Sequence, residues 1–293
     1  MKAAAFEYVR VDSVEEVCRT LASAKGMAEH KIIAGGQTLV PLMAMRLARP
    51  TLLIDINDVA ELTGISRDRT DLVIRACTRQ REAESHPLVA EAVPLLAKAL
   101  PFVGHRQTRN RGTVGGSIVH GDPSAEIALV ALMLDATLLM RSLSGENSRA
   151  IDGFFKAPMM TALTPNECLV EVRFPEWDEC GSVGTGFHEV ASRAGDFAIV
   201  AAAAQIAIDS DGVCRRAALG VGGVGPKPIK LVEAEEALIG TPLDDGAIEA
   251  AIGLIHGAIE PDSDLHATED YRRRVCRVLI ARAVRDAAFE ARK

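Results

Sequence analysis

Hydrophobic residues recur along this chain with two periods, and the switches between the periods outline its elements. Val14, Val17 and Leu21 stand at helical spacing behind the capping box Ser13-Val-Glu-Glu16, which predicts a first helix reaching about residue 24. An apolar run predicts a strand at 31–34, followed by a helix at 39–47 that tolerates Pro41 in its first turn and a second strand at 52–55. The turn Ala34-Gly35-Gly36-Gln37-Thr38 therefore lies at a strand's carboxyl end. Farther along, 72–76 reads as a strand, 87–100 as a helix opened by Pro87 and stopped by Pro101, and 104–111 as a polar connection. A second glycine-rich loop follows, then an apolar helix at 124–134 that Ser124 can cap, and strands at 137–141 and 168–174. Pro175 marks a boundary, beyond which 181–190 and 197–208 are strand-like and 213–221 returns through the turn Asp209-Ser-Asp-Gly212. Helices at 230–238, 247–258 and 268–289 end the pattern.

The chemistry concentrates in the two glycine-rich turns. In Arg109-Asn-Arg-Gly-Thr-Val-Gly-Gly-Ser117 the glycines remove side chains, so that backbone N–H groups can approach an anion. Arg106, Arg109 and Arg111 lie upstream, and Asp122 and Glu126 follow at a distance suited to accepting hydrogen bonds from sugar hydroxyls. Two such turns suggest one diphosphate.

At 293 residues two domains are the natural expectation. A net charge of −7 argues against nucleic acid and anionic membrane surfaces, both of which need a positive field. Glu7 and Arg10 interrupt any apolar leader, and no apolar run reaches the ~18 residues of a membrane helix, so a cytoplasmic location without membrane insertion is expected. Cys18, Cys77, Cys168, Cys180, Cys214 and Cys276 form no C-x-x-C pair and read as small buried hydrophobes. Arg272, Arg273, Arg274, Arg277, Arg282 and Arg285 on the last helix read as a solvated face with carboxylate partners. Gly220-Val-Gly-Gly-Val-Gly225 satisfies G-x-G-x-x-G, but Pro226 and Pro228 follow at once and no second βαβ strand appears, so it reads as a strand end bordering a cleft. His120, Asp122 and Glu126 share no helical face and are not expected to bind a metal, and no hydrolase or Walker motif is present.

Ala34-Gly-Gly-Gln-Thr-Leu-Val-Pro-Leu-Met43, Arg109-Asn-Arg-Gly-Thr-Val-Gly-Gly-Ser117 and His120-Gly-Asp-Pro-Ser-Ala-Glu126 resemble the FAD-binding medium subunit of molybdenum hydroxylases, the group that includes xanthine dehydrogenase, aerobic carbon monoxide dehydrogenase and the quinoline and nicotine dehydrogenases. The likeness covers almost the whole chain, down to Arg193-Ala-Gly-Asp-Phe-Ala198. It implies an α+β architecture. A vanillyl-alcohol-oxidase (PCMH)-type FAD-binding domain would occupy 1–176, with subdomains about 1–57 and 58–176. A C-terminal domain with a small antiparallel sheet and helices would occupy 177–293. By position, Ala34, Gly35, Gly36, Gln37 and Thr38 would contact the FAD diphosphate from one side, and Thr113, Val114, Gly115, Gly116 and Ser117 from the other. Glu126 takes the place of an acidic residue near the ribityl chain or adenosine, and Phe197 replaces a tyrosine set against the isoalloxazine.

The resemblance further implies an electron-transfer subunit with no catalytic residue of its own. It would pass electrons from the [2Fe–2S] clusters of an iron–sulfur subunit to an acceptor such as NAD, a quinone or oxygen, while a large molybdopterin subunit hydroxylates the substrate. Two other readings stay open from the residues alone: a self-sufficient FAD-dependent oxidase or reductase, and a non-catalytic nucleotide-binding assembly protein.

Overall fold

Three larger sheets and one two-stranded ribbon carry the described residues, 2–24, 29–177 and 181–293, in a computed structural model. In the first, β1 (Glu7–Arg10), α1 (Val14–Ala22), β2 (His30–Ile33), α2 (Leu39–Ala44) and β3 (Leu52–Asp55) form a small parallel unit of strand order β1-β3-β2. The capping box works as expected, Ser13 accepting from the Glu16 N–H at 3.4 Å. Val14, Val17, Cys18 and Leu21 of α1 are buried with Ile54 of β3. Parallel strands leave their connections at the carboxyl ends, and the Ala34–Thr38 turn is one of them.

The second unit contains β4 (Ile65–Asp68), β5 (Asp71–Arg75), α3 (Gln80–Ser85), α4 (Pro87–Ala92), α5 (Pro94–Ala99), α6 (Arg106–Arg111), α7 (Val114–His120), α8 (Glu126–Met133), β6 (Thr137–Ser142), β7 (Gly145–Ala150), β8 (Phe155–Ala157), β9 (Met160–Thr161) and β10 (Cys168–Pro175). Its antiparallel sheet has the order β4-β5-β10-β6-β7. Four expectations change here. The single helix over 87–100 is broken at Val93, because Pro94 brings no N–H and pushes the preceding residue out of the helical region. Residues 106–111, read as connection, are helical. The second glycine-rich segment is the first turn of α7, with the Thr113 hydroxyl capping the Gly116 N–H at 3.1 Å, rather than an open loop. Ser124 does not cap α8; Ala125 holds that position without a side-chain bond.

The third unit consists of β11 (Ser182–Val190), β12 (Val200–Ile208), β13 (Cys214–Gly222) and β14 (Ile229–Lys230), then α9 (Val232–Leu238), α10 (Asp245–Gly253) and α11 (Glu269–Ala291). Every residue of β12 is buried, and alternate side chains face opposite ways. Ala202, Ala204 and Ile206 join α11 in one core, while Ala201 and Ala203 join α8 in the core of the second unit. Helix α11 lies so close to β11 that a Cβ on Gly186 would stand 2.1 Å from the Ala283 carbonyl. Cys18, Cys77, Cys168, Cys214 and Cys276 are buried free thiols; Cys180 lies outside the described residues.

Candidate functional site

The first glycine-paired turn meets the second at the level of the backbone. A Cβ built on Gly35 would stand 2.3 Å from the Arg111 carbonyl oxygen and 2.8 Å from the Gly112 Cα, so only glycine allows the two segments to touch. Gly36 follows with φ +70°, a left-handed conformation that glycine adopts without a side-chain penalty. A groove of about 400 Å³ opens here, lined by Ala34–Gln37, Val40, Asp55, Asn57 and Arg111 among others. Among the described residues, the N–H groups of Gly35, Gly36, Gln37 and Thr38 donate to no protein acceptor. Gly35, Gly36 and Gln37 of this run line the groove, and consecutive unengaged backbone donors are the kind of group that can cradle an anion.

The turn is braced from behind. Asn57 donates to the Ala34 carbonyl at 2.9 Å, while Arg79 donates to Asn57 Oδ1 at 2.7 Å and to the Arg111 carbonyl at 2.6 Å. Tyr8 and Asn57 both donate to Asp55 at 2.5 Å. Burial opposes ionisation of Asp55, yet these bonds and the Arg10 charge hold its carboxyl below the usual carboxylate range. Asn57 and Arg79 were not singled out by sequence reasoning. Asn57 follows a strand end and opposes a glycine turn, which is the one signal that could have found it.

The second segment contributes differently from the first. Val114 and Gly115 donate their N–H groups to the Thr78 and Ala76 carbonyls, and both residues are buried. A Cβ on Gly115 would stand 2.6 Å from that of Ala76, so this glycine serves close packing against the end of β5, not ligand approach. Gly116, by contrast, is exposed, with Thr113 beneath it and Ser117 half-buried beside it. Arg109 is buried and forks onto Glu84 at 2.8 and 3.2 Å while holding the Val103 and Gly104 carbonyls, so it braces α6.

The chain from Arg111 to Ser124 leads from this groove to a second one of about 560 Å³, whose lining includes Ser124, Asp196, Phe197, Gly223, Asp264 and Arg272. Phe197, 71 % exposed, precedes β12 in a turn instead of lying within a strand. Gly223 and Gly225, from the G-x-G-x-x-G run, line this groove at the end of β13. Arg272 is not on a solvated face: it is buried and donates to the Ile199 and Gly223 carbonyls and to Asp264. Glu126 lines neither groove. It sits buried at the start of α8, its carboxyl pushed up to about 7 by burial and by Asp122. Glu189 is pushed up to about 8 by burial and by the Glu126 charge, and its Oε2 has no hydrogen-bond partner. No group of three potential metal ligands occurs among the described residues.

One chain segment joins the two grooves, the first with free backbone donors and the second with an exposed aromatic ring. Residues 4–177 match the FAD binding domain in molybdopterin dehydrogenase, and residues 185–287 match the CO dehydrogenase flavoprotein C-terminal domain. The 6-hydroxypseudooxynicotine dehydrogenase complex subunit alpha of Paenarthrobacter nicotinovorans is 38% identical, the alignment covering 100% of this chain and 97% of that relative. The carbon monoxide dehydrogenase medium chain of Hydrogenophaga pseudoflava is 32% identical over 95% of this chain and 96% of its own. The solved quinoline 2-oxidoreductase from Pseudomonas putida 86 superposes with a TM-score of 0.93 at 35% identity, over 100% of both chains. The chain belongs to the family of FAD-binding medium subunits of molybdenum hydroxylases. Its cofactor is FAD, and its relatives are named as subunits of larger dehydrogenases.

Proposed function

We propose that Ala34, Gly35, Gly36, Gln37 and Thr38 hold the FAD diphosphate, that Thr113, Val114, Gly115, Gly116 and Ser117 close the site from the other side, and that the isoalloxazine reaches Phe197. The residues fit the group. The carrying observation is the row of unengaged N–H groups from Gly35 to Thr38 beside a groove where a Cβ on Gly35 would collide with the facing backbone. On the second side Val114 and Gly115 act as packing supports, while Gly116, the Thr113 hydroxyl and the Ser117 hydroxyl form the edge that meets the ligand. Glu126, buried and outside both grooves, is given no direct cofactor contact in this reading. The FAD-binding domain spans 1–176 and the C-terminal domain 177–293, which brings Phe197, just before β12, and Gly223, just after β13, to the second groove.

Bound FAD supplies exchange between one-electron arrivals and a two-electron output. The chain's own task is to fix that group's position. We place it in a heterotrimer with an iron–sulfur subunit and a large molybdopterin subunit, delivering electrons to NAD, a quinone or oxygen. Relatives named for carbon monoxide, glyceraldehyde and nicotine derivatives share this flavin subunit at 30–38% identity, which supports substrate choice residing in another polypeptide.

The purified chain is expected to take up one equivalent of FAD, to give a spectrum that dithionite bleaches, and to be inert toward small-molecule substrates until its partners are added. A chain that stays colourless at saturating FAD contradicts the reading; turnover by the isolated chain points to a self-sufficient oxidase.

A further inference from the structure

The first groove contains a cation that the fold does not use. Arg111 is exposed on the groove's lining, and its guanidinium makes no hydrogen bond or ion pair among the described residues. Its neighbours are engaged: Arg109 is forked onto Glu84, and Asp55, the acidic residue of the lining, is tied to Tyr8 and Asn57. Among the described residues no carboxylate forms an ion pair with Arg111. Its main chain, however, is fixed with unusual care. The carbonyl is held by Arg79 at 2.6 Å and lies in contact with Gly35, and Arg79 is itself held by Asn57, which bonds the Ala34 carbonyl. One guanidinium and one carboxamide thus link both walls of the groove and set where the Arg111 side chain begins.

Resting on the FAD reading above, we propose that Arg111 is the charged contact to the cofactor's diphosphate and that Asn57 and Arg79 are the residues that position it. The backbone donors of Gly35–Thr38 carry no full charge, whereas a diphosphate brings about two negative charges. An unpaired guanidinium on the same groove complements them, and its planar fork suits phosphate oxygens. A solvated arginine with no role would not need its carbonyl clamped from both sides. Discrimination between ligands follows directly. FAD and ADP-ribose carry the diphosphate that Arg111 meets, whereas riboflavin does not.

The test uses the deflavinated full chain, titrated with FAD and with riboflavin at several salt concentrations. Arg111→Gln is expected to fold as the wild type does, because its side chain has no partner to lose. It should weaken FAD about 10-fold at low salt, leave riboflavin unchanged, and flatten the salt dependence of FAD binding. Arg111→Lys should keep the salt dependence and recover part of the affinity. Asn57→Ala, which removes no charge, should weaken FAD while preserving the wild-type salt dependence. If wild type binds FAD but Arg111→Gln binds it equally well with the same salt dependence, the assignment of Arg111 fails and the FAD site stands. If wild type binds no FAD, both fail.

Discussion

Adding one methyl group to Gly35 tests the meeting of the two glycine segments most economically. The built Cβ lies 2.3 Å from the Arg111 carbonyl oxygen, about 1 Å inside ordinary van der Waals contact, and 2.8 Å from the Gly112 Cα. Both obstacles are backbone, and the carbonyl is pinned by Arg79, so no side chain can swing aside. Overpacking of this kind costs about 1–3 kcal/mol. In the apo chain the 35–38 turn can move outward and relieve part of it, whereas a ligand gripped from both walls requires the closed arrangement. The cost should therefore appear mainly in binding. At about 1.4 kcal/mol per factor of ten, Gly35→Ala is expected to weaken FAD by roughly 5- to 150-fold. Its Tm should fall by less than about 5 °C. Fluorescence titration of the deflavinated chain and scanning calorimetry read the two quantities. Wild-type affinity in Gly35→Ala would refute the argument that both walls hold one ligand.

Other outcomes follow from the core and the second groove. The folded-state carboxyls of Glu126 and Glu189 stand at about 7 and about 8, above their ordinary values, so the stability they contribute is present at low pH and lost as pH rises through that window. The apo chain's Tm should decline between pH 5.5 and 8.5, and Glu189→Gln should flatten the decline; parallel curves would contradict it. Gly186→Ala should prevent α11 from docking on β11 and remove the cooperative unfolding transition seen by calorimetry, because the added Cβ meets the Ala283 carbonyl at 2.1 Å. Phe197→Ala should retain FAD yet alter its fluorescence, and an unchanged emission spectrum would place the ring elsewhere.

The paired glycine turns were legible because each breaks an apolar pattern with residues that have no other use there. The first was read correctly as the turn after a strand. The second was read as a loop because Gly115 and Gly116 look alike in sequence, whereas the structure gives Gly115 a packing task against Ala76 and leaves Gly116 exposed. That distinction depends on β5, which is distant in the chain. Strands β1, β4 and β7 escaped notice because most of their residues are exposed and polar, so no apolar alternation marks them. Arg272 was grouped with its solvated neighbours because helical spacing alone does not reveal that the Ile199 and Gly223 carbonyls wait beside it. Asn57 and Arg79 carry no motif at all; their importance comes from the carbonyls they reach.

Hydrogen exchange of the full chain with and without FAD addresses the central claim directly. FAD should slow exchange in peptides covering both 34–38 and 113–117, with the larger effect in the first, whose N–H groups have no protein acceptor. Tight FAD binding that protects only one of these segments, or neither, would contradict the account.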